Sequence, residues 1–77
     1  MSRNISTIAN EICTTWRPVN FAAAPYLAAM RQLDSIQDNY GLDSGRSVVL
    51  YFLSNAATWR GDKAREIKKE LKAILAG

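Results

Sequence analysis

The 77 residues of the chain include ten Lys and Arg against seven Asp and Glu, one cysteine and no histidine. A single cysteine cannot form an intrachain disulfide, and without histidine it cannot complete a tetrahedral zinc site. These numbers exclude a disulfide-stabilised secreted scaffold and a structural zinc domain. We predict one small domain without metal or cofactor, whose core supplies only about 3–5 kcal/mol of net stability.

The stretches without charged residues are too short to cross a membrane. The longest are residues 18–30 and 47–59, and both contain polar side chains or proline. No apolar segment follows Arg3 directly, which argues against a signal peptide. We expect a cytoplasmic protein without membrane contact.

An apolar stripe at helical spacing predicts the first helix. Its members share one face: Ile5, Ile8, Ala9, Ile12 and Trp16. Ser2 or Asn4 can cap its start. The helix is expected to end at Arg17, because a residue before proline is driven out of the helical region.

Pro25 determines where the second helix can begin. Proline is tolerated only in a first helical turn, so either the helix starts at residues 21–24 or a short turn precedes a kink at Pro25. An apolar stripe follows: Tyr26, Leu27, Met30, Leu33 and Ile36. We predict that this helix continues to Tyr40, with Gly41 in the left-handed cap position.

The third helix is predicted to begin after Asp43 or Ser44, both good caps, and to end near Trp59. Its apolar face is Val48, Val49, Phe52, Ala56 and Trp59, thickened by Leu50, Tyr51 and Leu53. Residues 48–53 also suit a strand, because they are β-branched and aromatic, but no second strand-like run exists. An almost wholly apolar helix should be the central one.

The fourth helix is predicted to follow a tight turn, with Gly61 closing the third helix and Asp62 capping the next. Its apolar face is Ala64, Ile67, Leu71, Ile74 and Leu75. The predicted fold is therefore all-α, a small bundle of three main helices plus a short or kinked segment near residues 20–25. One helical domain covers residues 1–77.

The excess positive charge lies in the last quarter of the chain. Residues 1–59 carry four cations and four anions, whereas residues 60–77 carry six and three. The candidate nucleic-acid-binding residues are Arg60, Arg65, Lys68, Lys69 and Lys72. Such side chains neutralise phosphates, but agreement with a DNA-reading helix–turn–helix is partial, because Asp62 and Glu70 stand where apolar residues are expected. The alternative is a solvated face in which Glu66 pairs with Lys63 and Lys69.

An aromatic residue followed by arginine recurs at two predicted helix ends. Together with one tyrosine, these pairs give the candidate protein-interface residues: Trp16, Arg17, Tyr40, Trp59 and Arg60. Trp, Tyr and Arg dominate binding hot spots. The alternative is a core contact beside a solvated guanidinium. A core this small also favours a homo-oligomer that buries some of the rings.

The remaining polar residues do not indicate catalysis. The chain lacks a histidine base, a nucleophile elbow, a phosphate-binding glycine loop and a zinc-protease motif, so we predict that it is not an enzyme. Asp34 and Asp38 are interpreted as solvated carboxylates rather than cation ligands, and Cys13 as structural. Residues 44–47 have chemistry that suits an anion at a helix N-terminus, and the alternative is an ordinary capping turn.

Five segments carry a resemblance that extends over nearly the whole chain. They are residues 5–12, 25–30, 39–41, 51–56 and 59–65, which read ISTIANEI, PYLAAM, NYG, YFLSNA and WRGDKAR. With them the chain resembles a group of short proteins of bacteriophages, prophages and other mobile elements. The resemblance implies a genomic setting but no activity or site residue. For a protein of this kind and size the resemblance implies, as a class expectation, binding of a host protein, DNA or a small signalling nucleotide.

We therefore expect a non-catalytic binding module that contacts a host or phage protein and self-associates. The alternative function is nucleic-acid binding by the basic face of the C-terminal helix.

Overall fold

The computed structural model describes residues 3–77, which form four helices and one short hairpin. In chain order the elements are α1 (Ile5–Thr15), α2 (Ala24–Met30), β1 (Asn39–Tyr40), β2 (Asp43–Ser44), α3 (Gly45–Ser54) and α4 (Asp62–Ala76). The fold is mostly helical, as predicted, but the hairpin means that it is not purely all-α. Among the described helices, none is long and apolar enough to cross a membrane.

Helix α1 has the predicted apolar stripe, and its buried residues are Ile5, Ile8, Ala9 and Ile12. Asn4 is its N-cap residue but makes no side-chain cap. Instead, the amides of Ile5 and Ser6 donate to the carbonyl oxygens of Asp34 and Leu33, at 3.1 and 2.8 Å. The loop after α2 therefore caps α1. Ser2, the alternative cap, lies outside the described residues.

Helix α2 begins where proline allows, with Pro25 in its first turn. The side chain of Asn20 accepts from the amide of Ala22 at 2.7 Å, and its carbonyl oxygen accepts from Ala23 and Ala24. This turn is the short segment that the prolines predicted. It leads directly into the helix.

The predicted continuation of α2 to Tyr40 is wrong, because the helix ends at Met30. The carboxylate of Asp38 accepts hydrogen bonds from the amides of Asp34 and Ser35, at 2.9 and 3.2 Å. These bonds hold a turn that replaces the last helical turns. The apolar residues of this segment, Leu33 and Ile36, are nevertheless buried.

The hairpin and the start of α3 are held together by the same loop. Tyr40 pairs with Asp43 across Gly41, which has a φ of 62°, so the predicted left-handed glycine belongs to a hairpin and not to a helix end. A Cβ at Gly45 would lie 2.9 Å from each of three carbonyl oxygens, those of Ser35, Ile36 and Asp38. Only glycine lets α3 begin this close to the loop.

Helix α3 is capped by Ser44, as predicted, and its buried residues are Gly45, Val48, Val49 and Phe52. It ends at Ser54 rather than near Trp59. The side chain of Asn55 donates to the carbonyl oxygen of Tyr51 at 2.8 Å, and residues 55–61 then turn back toward the core. The tight helix–turn–helix is therefore wrong, because this longer connection separates the two helices.

Apolar side chains from all four helices meet in one core. Most of those predicted for it are buried, namely Ile8, Ile12, Leu27, Met30, Leu33, Val48, Val49, Phe52, Ala56, Ile67 and Leu71. Leu53 and Ile74 are only partly buried at its edge. The core fixes α4 between α1 and α3, and this position decides the surroundings of its charged residues.

A candidate binding seam between the third and fourth helices

Two of the predicted interface residues belong to the core. Trp16 is 9% exposed and Trp59 is 4% exposed, and their rings stack with centroids 5.3 Å apart. Phe52 meets both rings edge-on, at 6.2 and 6.5 Å. Neither tryptophan is exposed enough to anchor a protein interface, so both interface assignments are wrong. The connection after α3 turns Trp59 inward onto Trp16.

The other three predicted interface residues are exposed, but they lie on different parts of the fold. Arg17 follows α1, and its Nε donates to the carbonyl oxygen of Cys13 at 3.3 Å. Tyr40 lies on the hairpin, and Arg60 lies two residues before the start of α4, next to its N-cap residue Gly61. The residues predicted as one interface therefore do not form one motif.

The flank of α4 that faces α1 carries compensated charges, and we call it the α1 flank (Arg3, Glu11, Lys63 and Glu70). Arg3 Nη2 lies 2.7 Å from a carboxylate oxygen of Glu11 and 2.6 Å from one of Glu70. Lys63 Nζ lies 3.3 Å from the other oxygen of Glu11. The close guanidinium of Arg3 is the main cause that lowers the pKa of Glu11. The predicted pairing of Lys63 with Glu66 is wrong, because Glu11 on α1 takes that lysine.

The opposite flank of α4, which faces α3, carries several cations. We call it the seam, and its residues are Arg46, Arg60, Lys68 and Lys72. Among residues 3–77, none of these four side chains forms an ion pair with a carboxylate. The sequence predicted three of the four as basic-face residues and missed Arg46. The available sequence signal was the position of Arg46 four residues before Leu50, which places both side chains on the same face of α3.

Lys68 lies at the centre of the seam and is partly buried. Its ammonium donates to the carbonyl oxygen of Trp59 at 2.6 Å and lies 5.9 Å from the centroid of the Trp59 ring. Burial lowers the pKa of Lys68, and the charges of Lys72 and Arg60 lower it further. Both of these contacts of the Lys68 ammonium are with neutral groups.

A hollow of about 300 Å³ lies at the end of the seam nearest the start of α4. We call it the Trp59 hollow. Its lining residues are Ala57, Trp59, Arg60, Gly61, Arg65 and Lys68. Arg65 Nη2 lies 2.9 Å from Asp62 Oδ1, in a pair that is almost fully solvent-exposed. Arg60 and Lys68 are therefore the uncompensated cations of this hollow.

A second depression, of about 560 Å³, lies at the other end of the seam. We call it the α3–α4 groove. Its lining residues are Arg46, Leu50, Leu53, Ser54, Lys72, Leu75 and Ala76. Leu50 is 48% exposed, and Arg46 Nη1 donates to the carbonyl oxygen of Leu75 at 2.6 Å. That hydrogen bond fixes one cation at the rim of an apolar surface.

The predicted basic face is therefore divided by the fold. Arg60, Arg65 and Lys68 surround the Trp59 hollow, and Lys72 lines the groove. Lys69 is exposed and lines neither depression. The sequence identified the right helix for a cationic surface but not its division into two differently lined ends.

The anion site considered at residues 44–47 is wrong, because the backbone amides there already have acceptors. Gly45 donates to the carbonyl oxygen of Asp38 at 2.6 Å, and Arg46 donates to that of Ile36 at 3.0 Å. The amide of Ser47 donates to Ser44 Oγ at 3.1 Å. The alternative, a capping turn, is confirmed.

Cation ligation by Asp34 and Asp38 also receives no support. The two residues lie in a loop rather than on one helix face, and the Asp38 carboxylate is bonded to backbone amides. Within the described part of the chain no group of three potential metal ligands occurs.

Comparisons with protein-family models, with curated proteins and with solved structures found no match to this chain. The resemblance to short mobile-element proteins therefore remains a prediction.

Proposed function

We propose that the chain is a non-catalytic binding module whose α3–α4 groove holds an amphipathic helix from a partner protein. The observation that supports this proposal is the exposure of Leu50, at 48%, beside Leu53 and Leu75 in an open groove. A helix that lays its apolar face into such a groove buries these leucines, and burial of apolar surface is the main source of binding free energy.

The charges at the rim determine which partner fits. Arg46 and Lys72 line the groove, and neither has an ion pair with a carboxylate among residues 3–77. A complementary helix carries leucine-like residues at i, i+3, i+4 and i+7 with Asp or Glu beside them. Opposite charges of this kind speed association and select against basic partners.

The same charges argue against a second copy as the occupant. In a symmetric dimer built groove to groove, Arg46 and Lys72 of both chains would meet, and like charges across an interface oppose association. A different, acidic protein from the host or the phage is the better fit. Self-association therefore needs another surface, and light scattering at low and high protein concentration tests it.

A synthetic peptide tests the groove directly. The probe is a fluorescein-labelled helix with leucines at i, i+3, i+4 and i+7 and glutamates on both flanks, followed by fluorescence anisotropy. We expect saturable binding, no binding of the same peptide with lysines in place of the glutamates, and an affinity about five- to tenfold lower for Leu50→Ser.

Leu42→Ser is the matched control for Leu50→Ser. Leu42 is fully exposed on the hairpin turn and does not line the groove. The Leu42→Ser variant should bind the peptide with the same affinity as the wild-type chain. Equal binding by all three proteins, or equal binding of the acidic and basic peptides, would rule out the groove as the contact surface.

Nucleic-acid binding is the second candidate function, and a separate observation favours it. Arg60, Lys69 and Lys72 are exposed and make no ion pair in the described chain, so they remain available to phosphates. The test is binding of single- and double-stranded DNA at about 50 and 200 mM salt, because release of counterions makes affinity fall steeply over that range.

The variant Lys69→Glu with Lys72→Glu should weaken nucleic-acid binding and its salt dependence without loss of helix content. Lys68 is left unchanged in this test, because its hydrogen bond to Trp59 gives it a structural role. Binding that is insensitive to salt or to this double change would exclude the exposed cations of α4 as a nucleic-acid site.

A further inference from the structure

The Trp59 hollow contains a positive charge that the protein does not neutralise. The Lys68 ammonium has three hydrogen-bond donors, and its one acceptor in the described structure is the neutral carbonyl oxygen of Trp59. Removing a cation from water without an anionic partner costs free energy. An anion bound beside Lys68 would recover that cost.

The charged residues near Lys68 make the surroundings more favourable for an anion. Arg60 and Lys72 are both close enough to lower the pKa of Lys68, in addition to the effect of burial. Asp62 follows the hollow in sequence, but its carboxylate is paired with Arg65. The field in the hollow is therefore positive, and such unbalanced groups in a depression are typical of binding sites.

The two cations differ in how firmly the fold holds them. The hydrogen bond to the Trp59 carbonyl and the ring below fix the Lys68 ammonium. Arg60 makes no hydrogen bond in the described chain, so its guanidinium can turn toward a ligand and donate two parallel hydrogen bonds to one oxyanion. A fixed charge with a mobile clamp is a good arrangement for a tetrahedral anion.

We propose that the Trp59 hollow is a binding site for a phosphate group, held by Lys68 and Arg60. The volume of about 300 Å³ is at the small end of the range for ligand pockets, roughly 300–1,000 Å³. It suits a phosphate with a small substituent. This site does not depend on the α3–α4 groove, and it shares no lining residue with it.

The test is a ¹H–¹⁵N NMR titration with inorganic phosphate, at constant ionic strength and near neutral pH. Saturable shifts are expected at the amides of Trp59, Arg60 and Gly61. Arg60→Gln and Lys68→Met should each weaken binding about tenfold, because each removes a hydrogen bond to a charged group. Lys69→Gln is the matched control: it removes the same charge from α4 outside the hollow and should leave affinity within about twofold.

Several results would overturn the proposal. One is the absence of saturable shifts, and another is an equal loss of affinity in Lys69→Gln, which would mean diffuse attraction to α4. If Lys68→Met unfolds, Arg60→Gln decides, because its side chain has no hydrogen bond in the described chain to lose. Unchanged phosphate affinity in folded Arg60→Gln would show that Arg60 does not hold the phosphate and would overturn the proposal.

Two further titrations identify the source of the phosphate. Equal affinity for inorganic phosphate and a nucleoside monophosphate, with an oligonucleotide no tighter, supports a small phosphorylated ligand. Much tighter, salt-sensitive binding of the oligonucleotide through the same three amides supports a nucleic-acid backbone in the same site. Failure of the peptide experiment on the groove would leave either result intact.

Discussion

The two flanks of α4 carry cations in very different surroundings. On the α1 flank, Arg3 and Lys63 contact the carboxylates of Glu11 and Glu70, so positive and negative charges balance within the chain. On the seam, Lys68 and its cationic neighbours have no carboxylate partner in the part of the chain that the structure describes. The fold pairs the cations of the α1 flank with carboxylates, whereas the cations of the seam remain available to an external anionic group. The seam, rather than the basic helix as a whole, is therefore the candidate working surface.

The largest loss of stability is expected from Gly45→Ala, which disturbs the α3 side of the seam. The added Cβ would lie 2.9 Å from three carbonyl oxygens of the preceding loop. Overpacking against backbone that cannot move away should cost about 2–3 kcal/mol, a large part of the stability of so small a domain. Urea unfolding followed by circular dichroism measures this loss.

Ser54→Ala serves as the control for Gly45→Ala, because Ser54 is exposed at the other end of α3. Its effect should stay within about 0.5 kcal/mol. Wild-type stability in Gly45→Ala would show that α3 need not begin against this loop, and the placement of Arg46 and Leu50 opposite α4 would lose its basis.

Glu11→Gln should produce the next largest effect, because it removes the acid that both Arg3 and Lys63 contact on the α1 flank. These pairs are partly exposed, so we expect a loss of only about 0.5–1 kcal/mol at neutral pH. The folded-state pKa of Glu11 is lowered, chiefly by Arg3. Its stabilisation is therefore fully present above the ordinary glutamate pKa and is lost as pH falls through the folded-state pKa.

Urea unfolding of the wild type and of Glu11→Gln, at neutral and at strongly acidic pH, measures both the loss of stability and its pH dependence. The difference between the two proteins should shrink in acid. A difference that persists unchanged in acid would mean that the carboxylate charge of Glu11 is not what stabilises the α1 flank.

Lys72→Gln should have a smaller effect on stability, and not a loss. It removes a positive charge that opposes Lys68, and within residues 3–77 Lys72 has no carboxylate partner that the change would leave unpaired. We expect stability within about 0.5 kcal/mol of the wild type, on the favourable side. A loss as large as that of Glu11→Gln would mean that the seam is compensated after all.

Lys72→Gln should also change slightly how stability depends on pH in the alkaline range. The pKa of Lys68 is lowered in the folded state, so the unfolded chain binds more protons and stability rises as pH increases from the folded-state pKa toward the ordinary lysine value. In Lys72→Gln one cause of the lowering is gone. The rise should be smaller, and thermal unfolding across that pH range checks it.

The sequence predicted those elements whose signals are local. The stripes of α1 and α4 follow helical spacing, and Ser44 caps α3 through the amide of Ser47, three residues away. The end of α2 and the hairpin depend instead on Asp38 and on the contact of Gly45 with the loop. Those interactions form only when the segments are brought together, so spacing alone continued α2 too far.

The candidate site was predictable to a similar degree. The concentration of cations on α4 is visible in the sequence, but their compensation is not. Arg3 pairs with Glu70 and Lys63 with Glu11, across 67 and 52 positions of the chain. The inward turn of Trp59 depends on where α3 stops. Helical spacing placed that end near Trp59, whereas Asn55 forms the C-cap after Ser54.

The most direct test of the account compares Lys72→Gln with Lys63→Gln in binding the acidic amphipathic peptide by fluorescence anisotropy. Each variant removes one positive charge from α4, from the seam in the first case and from the α1 flank in the second. We expect a several-fold weaker complex for Lys72→Gln and an unchanged affinity for Lys63→Gln. Equal weakening by both would contradict this expectation, because binding would then follow the net charge of the helix and not the seam.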